Sequence, residues 1–144
     1  MPSLHVKMVT AERQLIDEQA EMVIAPGGAG EIGILPRHIP LITTLKPGEL
    51  RIRRADEEQL FAVGGGFLEV RNVEGGSEVI VLADTAERAE ELDLARAEEA
   101  KRRAEQHIAD KSSAVDSVAA QASLLRALAR IRVAERHRSR PSNR

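Results

Sequence analysis

Two patterns of apolar positions divide the chain near residue 84. Before it, apolar residues come in short runs rich in β-branched side chains: "LHVKMV", "EMVIA", "IGIL", "LITTL", "LRIRR", "LFAV", "FLEV" and "EVIVLA". The turn-forming stretches "PGGAG", "KPGE", "ADEE", "GGG" and "VEGG" separate them. In "LHVKMV" and "LRIRR" the apolar residues alternate with polar ones, as in antiparallel strands with one face buried. Many short strands with frequent turns predict an antiparallel β-sandwich or small barrel over residues 1–84. After Thr85 the vocabulary changes to Ala, Glu, Arg and Leu. Asp84 or Thr85 is positioned to cap a helix running to about Asp110. The stretch "DKSS" breaks it, and a second helix follows from about Ala114 to His137. A short break between two long helices predicts an antiparallel hairpin over residues 85–138. Residues 139–144 then read as a basic, disordered tail. The fold class is therefore α+β, a β-sandwich followed by an α-helical hairpin.

The expected seam of the hairpin sets Ala89, Ala97, Ala100, Ala104 and Ile108 against Val115, Val118, Ala122, Leu125 and Ala129. Burying a Leu contributes roughly 1.5–3 kcal/mol and an Ala well under that. Such a seam holds weakly, although its helices have strong intrinsic propensity. Helices that persist while their packing changes are the expectation.

"GAGEIG", Gly28 to Gly33, has the spacing of the dinucleotide fingerprint, G-x-G-x-x-G. That fingerprint needs a helix directly after its glycines, with the pyrophosphate at the helix N-terminus. Here "ILPRHIP" follows, and Pro36 and Pro40 would each cost about 3 kcal/mol inside a helix. Ile32 and Ile34 continue a strand instead. Gly27, Gly28 and Gly30 are thus expected in a hairpin loop, with Gly33 in the following strand.

Composition narrows the function. With Phe61 and Phe67 as the only aromatics among 144 residues, the core must come from Val, Ile, Leu and Ala, and platforms for stacking bases are few. A net charge of −2 gives no overall attraction to nucleic acid. No Cys is present, which excludes thiolate chemistry. The first residues lack a secretory h-region, and no run approaches ~18 apolar residues, so a soluble cytoplasmic chain is expected. His5, His38, His107 and His137 show no metal-ligand spacing. Serines occur in the helix break and the tail without a base in their sequence context. Carboxylates lie mostly on charged helix faces. No catalytic constellation emerges, so no enzyme, metal or required cofactor is expected.

Four stretches together resemble the ε subunit of F-type ATP synthase: "GEIGILPRHIPLITTLKPGEL" (30–50), "GGGFLEV" (64–70), "VLADTAERAEELDLARA" (81–97) and "LLRALARIRVAE" (124–135). The resemblance runs in register from about residue 4 to 136. It implies a non-catalytic rotor subunit of the central stalk, peripheral to the bacterial inner membrane on its cytoplasmic side. Implied partners are the γ subunit, the c-ring, and the α and β subunits. The sandwich would dock on γ and the c-ring, coupling rotation to proton transport and ATP synthesis. The hairpin would act as a brake on ATP hydrolysis when extended and release it when folded on the sandwich.

By the same resemblance Glu31 is similar to the acidic loop residue facing the c-ring, and His38 to a position on the γ side. A solvated loop glutamate and an exposed turn histidine are the plain alternatives. "LDLARA" (92–97) is similar to the nucleotide-binding segment of some bacterial ε subunits. Glu87, Asp93, Arg96, Arg126 and Arg130 match nucleotide-contacting positions, implying ATP as a regulatory ligand. Arg126 and Arg130, four apart on one helix face, can grip phosphates together. Asp93 and Arg96 can instead form an i, i+3 ion pair worth only ~0.2–0.5 kcal/mol. A free ATP-sensing module is the alternative function. From Arg126 on, arginines at 126, 130, 132, 136, 138, 140 and 144 face a single acid, Glu135. This departs from the family pattern. In a brake it would meet acidic loops of the β subunits and make inhibition salt-dependent.

Overall fold

The alternation of "LHVKMV" becomes a strand in which every second residue is buried, β1 (Leu4–Val9). The computed structural model describes residues 3–109 and 114–139. Seven further strands follow: β2 (Gln14–Ala20), β3 (Met22–Gly27), β4 (Gly30–Ile34), β5 (Leu41–Arg54), β6 (Glu57–Val73), β7 (Gly76–Ala83) and β8 (Ala86–Arg88). They hydrogen-bond in the order β2-β1-β7-β6-β5-β3-β4, with β8 beside β6. A 3-10 turn (Ala89–Glu91) leads to helices α1 (Leu94–Ala109) and α2 (Ala114–Ser139).

Two stretches that the sequence reads as turns, "KPGE" and "GGG", lie inside long strands. Each merges two expected strands, and they face one another, with Leu45 opposite Gly66 and Pro47 opposite Gly64. Gly65 and Gly66 have φ of 101° and 134°. A Cβ at Gly66 would run into the Leu82 carbonyl oxygen, so no other residue fits that bend. The bend carries β5 and β6 from one layer of the sandwich to the other. Their outer part, Leu41–Leu45 and Gly66–Val73, is extended by β7, β1 and β2. Their inner part is extended by β3, β4 and β8.

Between the layers lies a core built from Leu4, Val6, Met8, Val23, Ile34, Leu50, Ile52, Phe61, Leu68, Val79 and Val81, among others. The pairing is antiparallel except for β1 and β7, which run parallel, Leu4 opposite Ser77. Strand β2, "QLIDEQA", is absent from the sequence reading because Leu15, Ile16 and Ala20 do not alternate cleanly. "GAGEIG" folds as the hairpin expected from its prolines: Gly27 pairs with Gly30, and Gly33 stands in β4 opposite Ile24.

The first helix differs from expectation in its start. Residues 86–88 form β8 instead, held to Val63, Ala62 and Phe61 of β6. The cap is Asp93: its Oδ1 accepts the Arg96 backbone N–H at 3.2 Å, and its carbonyl accepts that of Ala97 at 3.0 Å. Helix propensity in "TAERAEELD" yields to sheet pairing, and the next acid able to cap takes over.

Helix α2 forms the layer next to the sheet, against β5 and β6, and α1 packs on α2. On α1 the seam is as read, with Ala97 and Ala104 buried. On α2 it is rotated. Ala120, Ala127, Ala129, Val133 and Ala134 are buried, whereas Val118 and Leu125 are 68% and 52% exposed. Apolar residues surround α2, so periodicity alone does not choose its inner face. Ala89 belongs to a separate small cluster with Leu60, Ala62 and Val133, which fastens α2 to the sheet. The break "DKSS", the Val115 side chain and the tail from residue 140 fall outside the described residues.

Candidate functional site

Where the hairpin meets the sandwich, two clefts adjoin. The larger, about 720 Å³, lies between the helices and is lined by Arg103, His107, Ser123, Arg126 and Arg130 over an alanine floor. The smaller, about 220 Å³, is lined by Glu87, Glu91, Asp93, Arg96 and Arg130, among others. Ala100 and Arg130 line both, so the two form one trough. Its charge is uneven: among the described residues the large end carries arginines and a histidine with no carboxylate, whereas the small end sets Glu87, Glu91 and Asp93 beside Arg96 and Arg130.

The structure thus brings Glu87, Asp93, Arg96, Arg126 and Arg130 together, although they are up to 43 residues apart in sequence. Three elements supply them. Strand β8 presents Glu87, the N-terminus of α1 presents Asp93 and Arg96, and α2 presents the two arginines one turn apart. The Nε of Arg130 donates to Glu87 Oε1, an ion pair joining hairpin to sandwich. Arg126 Nη2 donates to Ser123 Oγ at 3.1 Å. Its aliphatic stem rests where a Gly64 side chain would be: a Cβ there would stand 2.9 Å from Arg126 Cδ. Asp93 uses its carboxylate to cap α1. The i, i+3 ion pair with Arg96 is replaced by that backbone contact.

Arg103 and Ser123 were not singled out by the sequence, and His107 was read only as one of four scattered histidines. The signal was present on α1, since Arg96, Arg103 and His107 recur at spacings of seven and four and share a face. Nothing comparable marks Ser123.

Glu31 and His38 line neither cleft. Glu31 is exposed on β4 just beyond the hairpin turn, and Arg51 Nη2 donates to its Oε1 at 3.1 Å. His38 is half-buried in the β4–β5 connection, its N–H bonded to the Leu35 carbonyl at 3.1 Å. Its Nδ1 lies 2.7 Å from the Ile39 carbonyl oxygen, so that nitrogen carries the proton. Leu35 and Ile39 around it are 55% and 74% exposed. Ile42, Phe67 and Leu82 are exposed too, and register sets Phe67 beside Leu82, with Ile42 two residues from Phe67's partner, Thr44. Ile42, Phe67 and Leu82 form an apolar strip on the outside of the sandwich, and Leu35 and Ile39 add exposed apolar side chains in the connection that leads to it. Strips of this kind mark surfaces that meet other proteins.

Among the described residues, no group of His and acids has the geometry to hold a metal ion. No described helix is long and apolar enough to cross a membrane.

A sandwich of this topology carrying a two-helix hairpin defines a class, and the comparisons place the chain in it. Residues 3–89 match the family model for the β-sandwich domain of the ATP synthase delta/epsilon chain. Residues 90–135 match its long α-helix domain. The ATP synthase epsilon chain of Dehalococcoides mccartyi is 49% identical over 142 residues, covering 98% of this chain and 99% of that one. That of Desulforamulus reducens is 47% identical, covering 89% and 94%. A chain in the cryo-EM structure of the Euglena gracilis mitochondrial ATP synthase shares the fold at a TM-score of 0.74. It is 20% identical, with 87% of this chain and 77% of that one covered. The chain belongs to the ATP synthase delta/epsilon family, in which its curated relatives are epsilon chains. The epsilon chain is a non-catalytic subunit of that synthase.

Proposed function

We propose that this chain is a rotor subunit that reports nucleotide level to the synthase. Its sandwich docks on the γ subunit and the c-ring and couples rotation to proton transport and ATP synthesis. Its hairpin brakes ATP hydrolysis when extended among γ and the α and β subunits. The unit over 1–84 serves docking and that over 85–138 regulation. The complex holds the chain at the cytoplasmic side of the bacterial inner membrane.

The observation that carries this reading is the trough. The folded hairpin draws together the five positions that the family resemblance links to nucleotide, with arginines alone at one end and acids beside arginines at the other. Phosphates suit the end lined by Arg103, Arg126 and Arg130, where charge-assisted and bidentate hydrogen bonds are available. The base and ribose suit the end with Glu87 and Asp93, whose carboxylates accept from amino and hydroxyl groups. Both helices and the sandwich contribute, so bound ATP favours the folded hairpin through its differential affinity. The apolar strip beside His38 supports a γ-docking face, and exposed Glu31 supports a contact with cationic groups of the ring. Val118, Leu125 and Leu128, exposed even with the hairpin folded, give α2 an apolar face available to partners.

Calorimetry of the full chain with ATP is expected to give saturable heat, lost in Arg126→Ala/Arg130→Ala. No heat at millimolar ATP removes the sensing role. In the assembled synthase, truncation after Arg88 is expected to raise ATP hydrolysis without loss of assembly. Unchanged hydrolysis removes the brake.

A further inference from the structure

Four charged residues form a line from the tip hairpin of β3 and β4 to the C-terminal part of α2. Glu31 Oε1 accepts from Arg51 Nη2 at 3.1 Å. Arg51 Nε lies 3.3 Å from Glu49 Oε1, and Arg136 Nη1 donates to that same oxygen at 2.7 Å. Glu49 and Arg51 sit two apart on β5 and so share one face of the sheet. The inner pair is strained for partners. The Glu49 side chain is 7% exposed, yet its Oε2 has no hydrogen-bond partner among the described residues. Arg51 Nε is close enough to Glu49 to attract it but misaligned for a hydrogen bond.

We propose that Arg51 is a shared guanidinium that couples occupation of Glu31 to release of the helical hairpin. A better arrangement exists for the inner pair: Arg51 facing both Glu49 oxygens in a fork would satisfy both orphaned atoms at once. Glu31 draws Arg51 outward, away from it. A basic group on a partner that takes Glu31 frees Arg51 to close on Glu49. Glu49, then neutralised by its neighbour, holds Arg136 less strongly, and α2 loses an anchor. The link is reciprocal: a hairpin that has left the sheet lets Arg51 settle on Glu49 and leaves Glu31 available. Engagement at the tip and release of the hairpin therefore favour each other.

The inference rests on the partner contact proposed for Glu31, but its test needs no partner. The chain has no cysteine, so Glu57→Cys with Glu135→Cys gives a clean dye pair spanning sheet and α2. Energy transfer in the full chain reads the docking equilibrium along a shallow urea titration. Glu31→Gln is expected to lower the docking constant about threefold, the scale of a partly exposed ion pair. In an Arg51→Met background, where Glu49 keeps Arg136 for itself, the same substitution is expected to change nothing. An equal loss in both backgrounds means that Glu31 attracts the basic end of α2 directly through space and overturns the proposal, as does no loss in either. Circular dichroism checks that each variant keeps the sandwich. A failure here leaves the ring contact standing, since that is read separately from binding of Glu31→Gln to the assembled complex.

Discussion

Gly64 illustrates how a missing side chain can decide where an element sits. Its N–H binds the Thr85 carbonyl at 2.8 Å, and a Cβ would press on the Thr85 hydroxyl and the stem of Arg126. Gly64→Ala is expected to cost about 1–3 kcal/mol by overpacking, with much of the loss appearing as hairpin release. The dye pair between sheet and α2 checks it. Phe61 is the contrasting residue, 1% exposed and the largest of the fully buried side chains. With so few aromatics in the chain, no neighbour can expand to fill its place. Phe61→Ala is expected to cost about 3–5 kcal/mol in urea unfolding, felt by the whole sandwich. At this scale the sequence was legible for chemistry and poor for partners. The arginines at 126 and 130 were reached through the family resemblance, and their i, i+4 spacing then pointed to phosphate chemistry. The pairing of Glu49 with Arg136, 87 residues apart, leaves no trace in any local pattern.

Among the elements, α2 carries the most information that periodicity hides. Its inner face is mostly alanine, with Val133 as its one larger contact in the cluster with Leu60 and Ala62. Val133→Ala removes about two methylene equivalents, roughly 1.6 kcal/mol at ~0.8 each. Hydrogen exchange is expected to quicken in α2 while the β1 and β7 amides keep their protection, because the hairpin opens as a separate unit. The sandwich strands were legible wherever one face is buried, as in β1. The long strands β5 and β6 were not. Their glycines and proline resemble turn signals locally, and only the pairing of one bend against the other shows that the chain runs on. The start of α1 was obscured for a related reason, since β8 gains more from an open sheet edge than its residues gain as a helix.

For the molecule as a whole, three carboxylates tie stability to pH. Asp17 is held below its ordinary value chiefly by its hydrogen bond to His5. At Glu78 burial pushes upward, but the Arg71 hydrogen bond and charge, with Lys7 and His5, outweigh it and the net shift is downward. Glu91 is lowered mainly by the hydrogen bond from Arg13, which joins the 3-10 turn to the β1–β2 connection. Each is more acidic folded than unfolded. The fold therefore gains from all three above their ordinary values, and the gain disappears as pH falls through the lower folded values. The urea midpoint is expected to stay level near neutrality and to fall below about pH 4.5, the ordinary value for the two glutamates. Glu78→Gln is expected to lower the neutral plateau and flatten that decline.

The parallel pairing of β1 with β7 has a consequence for how the chain is made. Leu4 finds its partner at Ser77, so β1 must wait for most of the sandwich to be synthesised before the strand beside it exists. Such distant closure is slow, because loop entropy is lost before contacts compensate for it. Until then β1 has an unpaired edge beside it, a site open to chaperones and to unwanted association. The helices are synthesised after the sheet they rest on. On a nascent chain, the helical layer arrives after the sheet and is the part that can leave it again.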